Sequence, residues 1–339
     1  MKIKVLFIER KPSYSVSIEK VFAQIAKNLS KDKFEVIFQN VPYRSNLLGI
    51  CKNLLFYRKA KADIYHITGQ NHYIALILSK KNTVLTIHDV GILHIRKGLR
   101  RFILKKIFFD LPVKKLKYIT AISAATKKEI VIHTGCPPEK IRIIENPLQE
   151  HFFISGKKKF DSNCPTILQI GTAPNKNLTN LIKALTGVNC LLKIVGELDE
   201  QTTKLLKLHR IKFENRLMLN DEEIRKEYQD CDVVALCSTF EGFGLPIIEA
   251  QAMQTPVITS NISPLTEVAG QGAAFADPHN SDSIKTGIVR IINDEQYRNN
   301  LIRYGLENIR RFQPELIAKS YENLYLEIAE IAKNFKKQR

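Results

Sequence analysis

Residues 231–270 have the sequence CDVVALCSTFEGFGLPIIEAQAMQTPVITSNISPLTEVAG. Residues 232–237 and 256–260 are short apolar runs rich in β-branched side chains, as in buried strands. The segment 245–253 between them is too long and too rich in Ala and Met for a strand, so it predicts a helix. The order strand, helix, strand indicates an α/β domain built on a parallel sheet.

The loop between the first strand and the helix has the composition of an anion site. Gly242 and Gly244 allow the backbone to approach a ligand closely, and Pro246 fits the first helical turn. A helix N-terminus presents unpaired N–H groups and the positive end of the helix dipole, which favour anionic oxygens. The loop therefore predicts a binding site, called the seat below, for a phosphate or a sugar.

Two carboxylates flank this seat, Glu241 in the loop and Glu249 in the helix. A carboxylate beside an anion site is useful if it accepts hydrogen bonds from hydroxyl groups, which sugars and ribose supply. Two Glu residues at this spacing also arise by chance in ordinary chains. The Gly-rich loop and the helix-starting proline between them make the pattern specific.

The segment EGFGLPIIEA resembles the signature of glycosyltransferase family 4, which contains retaining enzymes of the GT-B fold. The resemblance implies two Rossmann-like domains that face each other across a cleft, with a last helix crossing back to the first domain. It implies that Glu241 is catalytic and faces the donor sugar, and that Glu249 binds the ribose. The residues whose backbone would hold the sugar hydroxyls or the diphosphate are Gly242, Phe243, Gly244 and Leu245.

Composition fits two domains, because 339 residues exceed one ordinary core. No apolar run approaches the length of a membrane span, and the N-terminal KIKVLFIE is typical of a first strand and not of a signal peptide. We therefore expect a cytoplasmic protein. The six cysteines form no CxxC pair, which indicates reduced thiols and not a zinc site or disulfides.

Charge differs sharply between the two halves of the chain. Residues 1–150 hold 28 Lys and Arg against 11 Asp and Glu, whereas residues 151–339 hold 24 against 23. The first half therefore carries a net charge of +17, out of +18 for the whole chain. A basic surface of this kind indicates an anionic partner, either nucleic acid or the inner leaflet of a membrane.

The first half alternates strand and helix patterns, as in a Rossmann-like domain. The first predicted helix covers 16–29, where apolar residues recur at intervals of three and four. Ligands of such sheets lie beyond the carboxyl ends of the strands. The predicted strands are 3–9, 34–41, 63–68, 83–89, 118–123 and 141–146.

Three histidines lie at or near these strand ends. The segment TIHD resembles the family motif in which a histidine lies beside the donor sugar, so the resemblance implies a catalytic role for His88. His72 has a functional and a structural interpretation of equal weight, and His66 is expected to face inward as a structural residue. The first loop departs from the family, since RKPSYSVSIEKVF contains no glycine; hydroxyls of Ser13, Ser15 and Ser17 would take its place.

Residues 96–117 carry nine cations and one acid, interleaved with apolar side chains at helical spacing. One interpretation is an interfacial helix on anionic lipid. The other is an ordinary surface helix that packs its apolar stripe on the sheet. The apolar residues concerned are Leu99, Phe102, Ile103, Ile107, Phe108 and Phe109.

The second half begins after a predicted linker at 147–165. A strand ends at Gly171 and a helix starts near Asn177, so Lys176 lies just before a helix N-terminus. This position predicts that Lys176 binds the donor diphosphate. The alternative is a solvated loop lysine. Family members commonly carry an arginine shortly before this lysine, and Thr172 is its counterpart here. Gly196, at the next strand end, completes the predicted donor-binding set.

These observations predict a retaining glycosyltransferase that moves a hexosyl unit from a nucleotide sugar to a saccharide or lipid-linked acceptor, in cell-surface polysaccharide or lipopolysaccharide synthesis. The predicted domains are 1–150 for the acceptor and 151–313 for the donor, followed by a crossing helix at 314–339. We expect no cofactor, no metal and no nucleic-acid partner, and possible peripheral contact with the inner membrane face. The alternatives are a nucleotide-sugar epimerase of the same fold and a basic nucleic-acid-binding protein.

Overall fold

The chain folds into two compact units, as the computed structural model shows for residues 2–11, 17–153 and 159–337. The first unit comprises Met1–Pro147 and Pro314–Arg339, and the second comprises Leu148–Gln313. The C-terminal helix thus belongs to the first unit. Part of the predicted linker, 154–158, and the serines Ser13 and Ser15 lie outside the described residues.

Each unit is built on a six-stranded sheet in which all paired neighbours run parallel. The first sheet has the order β2-β1-β3-β4-β5-β6 and the second has the order β12-β11-β10-β7-β8-β9. The prediction of two parallel α/β sheets is confirmed. The strands are β1 Ile3–Glu9, β2 Phe34–Asn40, β3 Ile64–Ile67, β4 Thr83–Ile87, β5 Tyr118–Ala121, β6 Ile141–Ile143, β7 Thr166–Ile170, β8 Leu191–Val195, β9 Lys212–Arg216, β10 Val233–Leu236, β11 Val257–Ser260 and β12 Ala274–Ala276.

α-Helices lie in most of the crossover connections that parallel pairing requires, and a 3₁₀ turn, His72–Leu76, lies between β3 and β4. Short 3₁₀ turns and one π-helical turn, Lys106–Asp110, supplement them. The α-helices are α1 Ser17–Asn28, α2 Leu47–Tyr57, α3 Gly91–Ile95, α4 Gly98–Lys105, α5 Leu111–Lys115, α6 Ala124–Thr134, α7 Leu178–Ala184, α8 Glu200–Leu208, α9 Asp221–Asp230, α10 Leu245–Ala252, α11 Leu265–Ala269, α12 Ser281–Asn293, α13 Glu295–Asn308 and α14 Pro314–Lys337.

Both faces of the first sheet are buried. Alternate residues of β1 point to opposite faces, so Leu6 and Ile8 join one apolar cluster while Phe7 packs edge-to-face on Phe22 of α1. This burial on both sides explains why the strands are nearly continuous apolar runs.

A buried polar row on the second face joins the C-terminal helix to the sheet. The ring of His66 contacts the hydroxyl of Tyr325 at 2.6 Å through Nδ1 and that of Thr86 at 2.7 Å through Nε2. Thr86 in turn contacts Thr120 at 2.7 Å. Burial lowers the pKa of His66 to about 3, so the ring is neutral and uses both nitrogens in this row. The structural interpretation of His66 is confirmed.

Tyr325→Phe is expected to lower the free energy of unfolding by about 1–3 kcal/mol, because it leaves Nδ1 of His66 buried without a partner. Urea denaturation measures the difference. Tyr43→Phe removes the same atom from an exposed tyrosine of the same unit and should change stability by less than about 0.5 kcal/mol. Equal effects of the two substitutions would show that the polar row does not stabilise the fold.

The basic tract fits neither sequence interpretation over its whole length. Phe108 and Phe109 are buried in the core of the first unit, as in an ordinary surface helix. Leu99, Phe102 and Ile103 of α4 are instead exposed, Leu99 by 74%. The helical pattern is right, but the apolar stripe is split into an exposed part and a buried part. The reason is that the π-helical turn follows α4 and changes the direction in which the following side chains point.

Candidate active site

The candidate site of the second unit lies where the strand order of its sheet reverses. β8 and β9 follow β7 on one side of the sheet. The next strand, β10, pairs with β7 on its other side, and β11 and β12 continue in that direction. Connections leave in opposite directions at such a point and open a crevice beyond the carboxyl ends of the strands. Lys176 follows β7 and Glu241 follows β10, so the topology brings together two residues 65 positions apart.

Lys176 and Glu241 form an ion pair at this crevice. Nζ of Lys176 lies 2.6 Å from Oε1 of Glu241, and the hydroxyl of Ser238 donates to the same oxygen at 2.7 Å. The side chains are 20% and 13% exposed, so water screens the pair only partly. Both contacts end on Oε1 and leave the lone pairs of Oε2 for a ligand. The lysine and the carboxylate were each predicted from the sequence, whereas Ser238 was not.

Asparagine side chains fix the segment that carries Lys176. The amide of Asn177 donates to the carbonyl of Cys237 at 2.8 Å, and that of Asn175 donates to the carbonyl of Phe240 at 2.9 Å. Each bond ties the segment after β7 to the segment after β10. The ammonium of Lys176 is therefore held beside the loop that contains Glu241.

Two glycines are required by the shape of the crevice. Gly171 has φ +89°, and a Cβ there would lie 3.1 Å from Cε of Lys176. Gly244 has φ +101°, and a Cβ there would lie 2.6 Å from the side chain of Leu265. Any other residue would be strained at both positions and would displace either the lysine or the start of α10.

The remaining predicted donor-binding residues follow β7, β8 and β10. Gly196 follows β8, and its backbone approaches Thr172 so closely that a Cβ would lie 2.9 Å from Oγ1. Phe243 is buried, with its ring 5.8 Å from that of Phe312. Gly242 is partly exposed, and Leu245 begins α10.

Glu249 is positioned by a tyrosine that sequence analysis missed. The hydroxyl of Tyr228, in α9, donates to Oε2 of Glu249 at 2.5 Å. Burial and the charge of Glu249 raise the pKa of Tyr228 well above its usual value, which keeps the phenol protonated as a donor. An aromatic residue in an acidic helix gives no sequence signal for this role, whereas Ser238 could have been suspected as a polar residue directly after a strand.

His88 lies at the end of β4 in the first unit. Its Nε2–H donates to the carbonyl of Thr68 at 2.8 Å, and the side chain is buried. Burial lowers the pKa of His88, so the ring is neutral and Nδ1 carries a lone pair. The geometry suits a hydrogen-bond acceptor for a substrate hydroxyl and not a cation.

Two further features concern the whole chain. Among the residues that the structure describes, no group of three His, Cys, Asp or Glu side chains is arranged to hold a metal ion. Within the same residues, each helix is either too short or too polar to cross a bilayer.

Relatives with known names support one family. The chain is 28% identical over 275 residues to the O-antigen chain mannosyltransferase RfbU of Salmonella typhimurium, covering 74% of this chain and 72% of that protein. It is 26% identical to O-antigen chain mannosyltransferase B of Escherichia coli, covering 79% and 75%. The structure of Anabaena Alr3699/HepE in complex with UDP and glucose superposes with a TM-score of 0.78 at 16% identity, covering 96% and 100%, which shows a shared fold.

Family models match most of the sequence. The model described as Glycosyltransferase Family 4 matches residues 32–151, and the model described as Glycosyl transferases group 1 matches residues 151–308, the part that holds Lys176, Glu241 and Glu249. This chain therefore belongs to the group 1, family 4 glycosyltransferases of the GT-B type.

Proposed function

We propose that this enzyme transfers a hexosyl unit from a nucleotide sugar to a saccharide or lipid-linked acceptor, with retention of configuration, in the synthesis of a cell-surface polysaccharide. The ion pair of Lys176 and Glu241 at the crevice of the second unit carries the proposal. The names of the O-antigen mannosyltransferases support the pathway class, and the UDP and glucose in the HepE complex support a nucleotide-sugar donor.

The leaving diphosphate is stabilised by fixed positive charge. Lys176 is held by Glu241 on one side and points an ammonium group into the crevice, and the N–H groups at the start of α10 supply a second donor set. Because these groups are positioned before the reaction, little reorganisation is needed as negative charge develops on the phosphate. The mechanism we propose needs no metal ion.

The face of the sugar from which the acceptor attacks decides between retention and inversion, and the group that removes the acceptor proton must lie on that face. An inverting enzyme needs a general base on the sugar face opposite the leaving group. Asp89, the carboxylate next to His88, accepts from the N–H of Gly91 at 2.8 Å, which occupies one of its oxygens in a structural bond. The departing phosphate oxygen is a sufficient base if the acceptor enters on its own face, while Glu241 holds a hydroxyl of the donor sugar.

The product of the first turnover tests this mechanism. With an α-linked nucleotide donor, proton NMR should show an α linkage in the first-formed product, and activity should persist in a chelator. A β linkage would reject retention. Loss of activity in the chelator that added metal restores would reject the metal-free mechanism. A panel of UDP-glucose and nucleotide-linked mannose, scored by thermal shift, identifies the donor beforehand.

Tyr228→Phe should weaken nucleotide-sugar binding by on the order of tenfold, because Glu249 loses the bond that orients it towards the ribose. Turnover at saturating donor should change little, since the phenol does not touch the reacting sugar. Isothermal calorimetry and kcat together distinguish the two effects. Tyr304→Phe, in α13 of the same unit, is the matched control. A fall in kcat with unchanged binding would contradict the positioning role.

We further propose that the first unit contacts an anionic membrane surface through α2 and α4. Exposed apolar residues on the two helices are accompanied by exposed cations, which is the composition of an interfacial surface. Lys105 is paired with Asp110 at 2.8 Å, so it is a weaker contributor than its neighbours. The exposed apolar residues are Leu47, Leu48, Leu55, Phe56, Leu99, Phe102 and Ile103.

Replacing Arg100, Arg101 and Lys106 by Gln should release the protein from vesicles containing acidic lipid, because each cation near the surface contributes about 1 kcal/mol. Sedimentation with vesicles at increasing salt measures the release. The control replaces Lys2, Lys31 and Lys33, which are exposed cations of the same unit away from α4. Equal binding to neutral vesicles would show that charge does not recruit the protein, and tighter binding to duplex DNA would favour the nucleic-acid alternative.

A further inference from the structure

The strand β2, Phe34–Asn40, lies at an edge of the first sheet, and β1 is its one partner among the strands that the structure describes. The N–H of Ile3 donates to the carbonyl of Lys33 at 2.8 Å, so odd-numbered residues of this segment bond with β1. Backbone direction alternates along a strand, so the N–H and C=O groups of Val36 and Phe38 point away from the sheet. This edge therefore offers donors and acceptors to a further strand.

Three other strands lie at sheet edges in the described part of the chain, and each has a feature that hinders further pairing. β6 and β12 contain three residues each. β9 carries charged side chains at alternate positions, Lys212, Glu214 and Arg216. Short and charged edges are common means by which proteins prevent strand addition. β2 has seven residues, of which Glu35 alone is charged, so its edge is the least protected of the four.

A groove of about 330 Å³ lies between α1 and this edge. The small side chains of Ala23 and Ala26 in α1 leave it open above Val36 and Phe38. Phe38 is 43% exposed, although its ring packs edge-to-face on Phe7 with the centroids 5.3 Å apart. A strand added at the edge would place its own side chains directly beside these residues and would cover the exposed ring.

The charge at this groove is positive. Its wall contains two lysines, Lys27 and Lys31, and no acid. Lys31 and the nearby Lys33 are exposed, and their ammonium groups form no ion pair with the residues that the structure describes. The acids of this segment are Asp32, between the two lysines, and Glu35, whose side chain lies on the other face of β2. The balance of charge favours an acidic partner.

Three kinds of molecule fit an apolar groove with basic sides, and the observations favour one of them. A lipid chain would fill the groove but would form no hydrogen bond with the outward-facing backbone of β2. A second copy of this chain would bring the same cations against each other, because a symmetric contact uses one surface twice. An extended acidic peptide uses the backbone edge, the groove and the charge together.

We propose that the edge of β2 docks an extended acidic segment of a partner protein, which adds a strand to the first sheet. Apolar residues at alternate positions of this segment lie over Val36 and Phe38, and its carboxylates contact Lys31 and Lys33. The surface shares no residue with the donor crevice or with α2 and α4. The inference thus goes beyond glycosyl transfer and assigns the enzyme a protein partner.

Fluorescence anisotropy with the full-length chain tests the inference. The probe is a short labelled peptide in which valine and glutamate alternate. It should bind at least about tenfold more tightly than the same peptide with lysine in place of glutamate. Two further probes are N-methylated, one at the valines and one at the glutamates, so that each lacks the N–H donors of one edge. One of them should bind at least about tenfold more weakly than the other, because only one edge of the peptide faces β2.

Equal affinity of the glutamate and lysine peptides overturns the proposal, because charge would then not select the partner. Equal affinity of the two N-methylated peptides also overturns it, because the backbone edge of β2 would then contribute nothing.

Variants locate the peptide. Phe38→Glu places a carboxylate in the groove and should weaken binding by at least about tenfold. Phe275→Glu is its control, because Phe275 is 41% exposed on β12 of the second unit. Lys31→Gln with Lys33→Gln should weaken binding by about fivefold, and Lys59→Gln with Lys61→Gln, the same loss of exposed charge outside the groove, should not. If Phe38→Glu does not fold, the lysine variants still decide. Unchanged affinity in the Lys31 and Lys33 variant overturns the proposal.

Two further measurements test the other occupants. A dimer of the parent chain in sedimentation equilibrium that Phe38→Glu dissociates would assign the edge to a second copy and overturn the proposal. Loss of binding to acidic vesicles in Phe38→Glu, with Phe275→Glu unaffected, would assign the groove to lipid and overturn it as well. Glycosyl transfer by both variants should stay within about twofold of the parent, since neither residue lies in the donor crevice.

Discussion

Glu241→Gln is expected to reduce kcat by on the order of a hundredfold or more, with little loss of nucleotide affinity. The carboxylate holds Lys176 at 2.6 Å through Oε1, and Oε2 is the oxygen we assign to the donor sugar. The amide keeps the size of the side chain but loses its charge. The lysine then loses its charged partner, and the sugar hydroxyls lose a charged acceptor. The nucleotide contact that we assign to Glu249 is retained.

Steady-state kinetics at saturating donor, with calorimetry of the nucleoside diphosphate, measures the two effects separately. Glu200→Gln is the control, because that carboxylate is 83% exposed at the start of α8 in the same unit. Its kcat should stay within about twofold of the parent. A near-normal kcat for Glu241→Gln would remove this residue from the active site.

Lys176→Met should lower kcat by on the order of a hundredfold to a thousandfold, because the leaving diphosphate loses its positioned cation. Methionine keeps most of the apolar stem, so the packing against Gly171 is largely retained. Nucleoside diphosphate affinity should fall as well, which separates this variant from Glu241→Gln. Lys183→Met, an exposed lysine of α7, should leave both quantities unchanged.

The two substitutions should not be additive. Lys176 and Glu241 contact each other, so the double variant should be hardly slower than the slower single variant. If the fold reductions in kcat of the two single variants multiply in the double variant, the two side chains act independently. The ion pair would then have no role in positioning the ammonium.

Local patterns were sufficient for the secondary structure of the site. The stretch 231–270 was predicted as strand, helix and strand, and it folds as β10, α10 and β11. The predicted strand at 3–9 coincides with β1, and the predicted helix at 16–29 differs from α1 by one residue at each end. Periods of 2 and 3.6 residues are properties of neighbouring residues, so the sequence contains them directly.

Local patterns did not show which side chains would meet. The contact of Lys176 with Glu241 depends on β10 lying beside β7, and the orientation of Glu249 depends on Tyr228 in α9. The same holds for the basic tract, where equal periodicity left Phe102 exposed and Phe108 buried. The π-helical turn after α4 changes the direction in which the following side chains point, and periodicity does not specify such a turn.

The sequence by itself determined the strands, the helices, the family and the loop of Gly242 to Leu245, because each rests on residues close together in the chain. Only the tertiary structure decided that Lys176 is paired, that Ser238 and Tyr228 orient the two glutamates, and that one ring nitrogen of His72 is buried with no partner among the described residues. These facts depend on strand order and burial, which arise from contacts between residues distant in sequence.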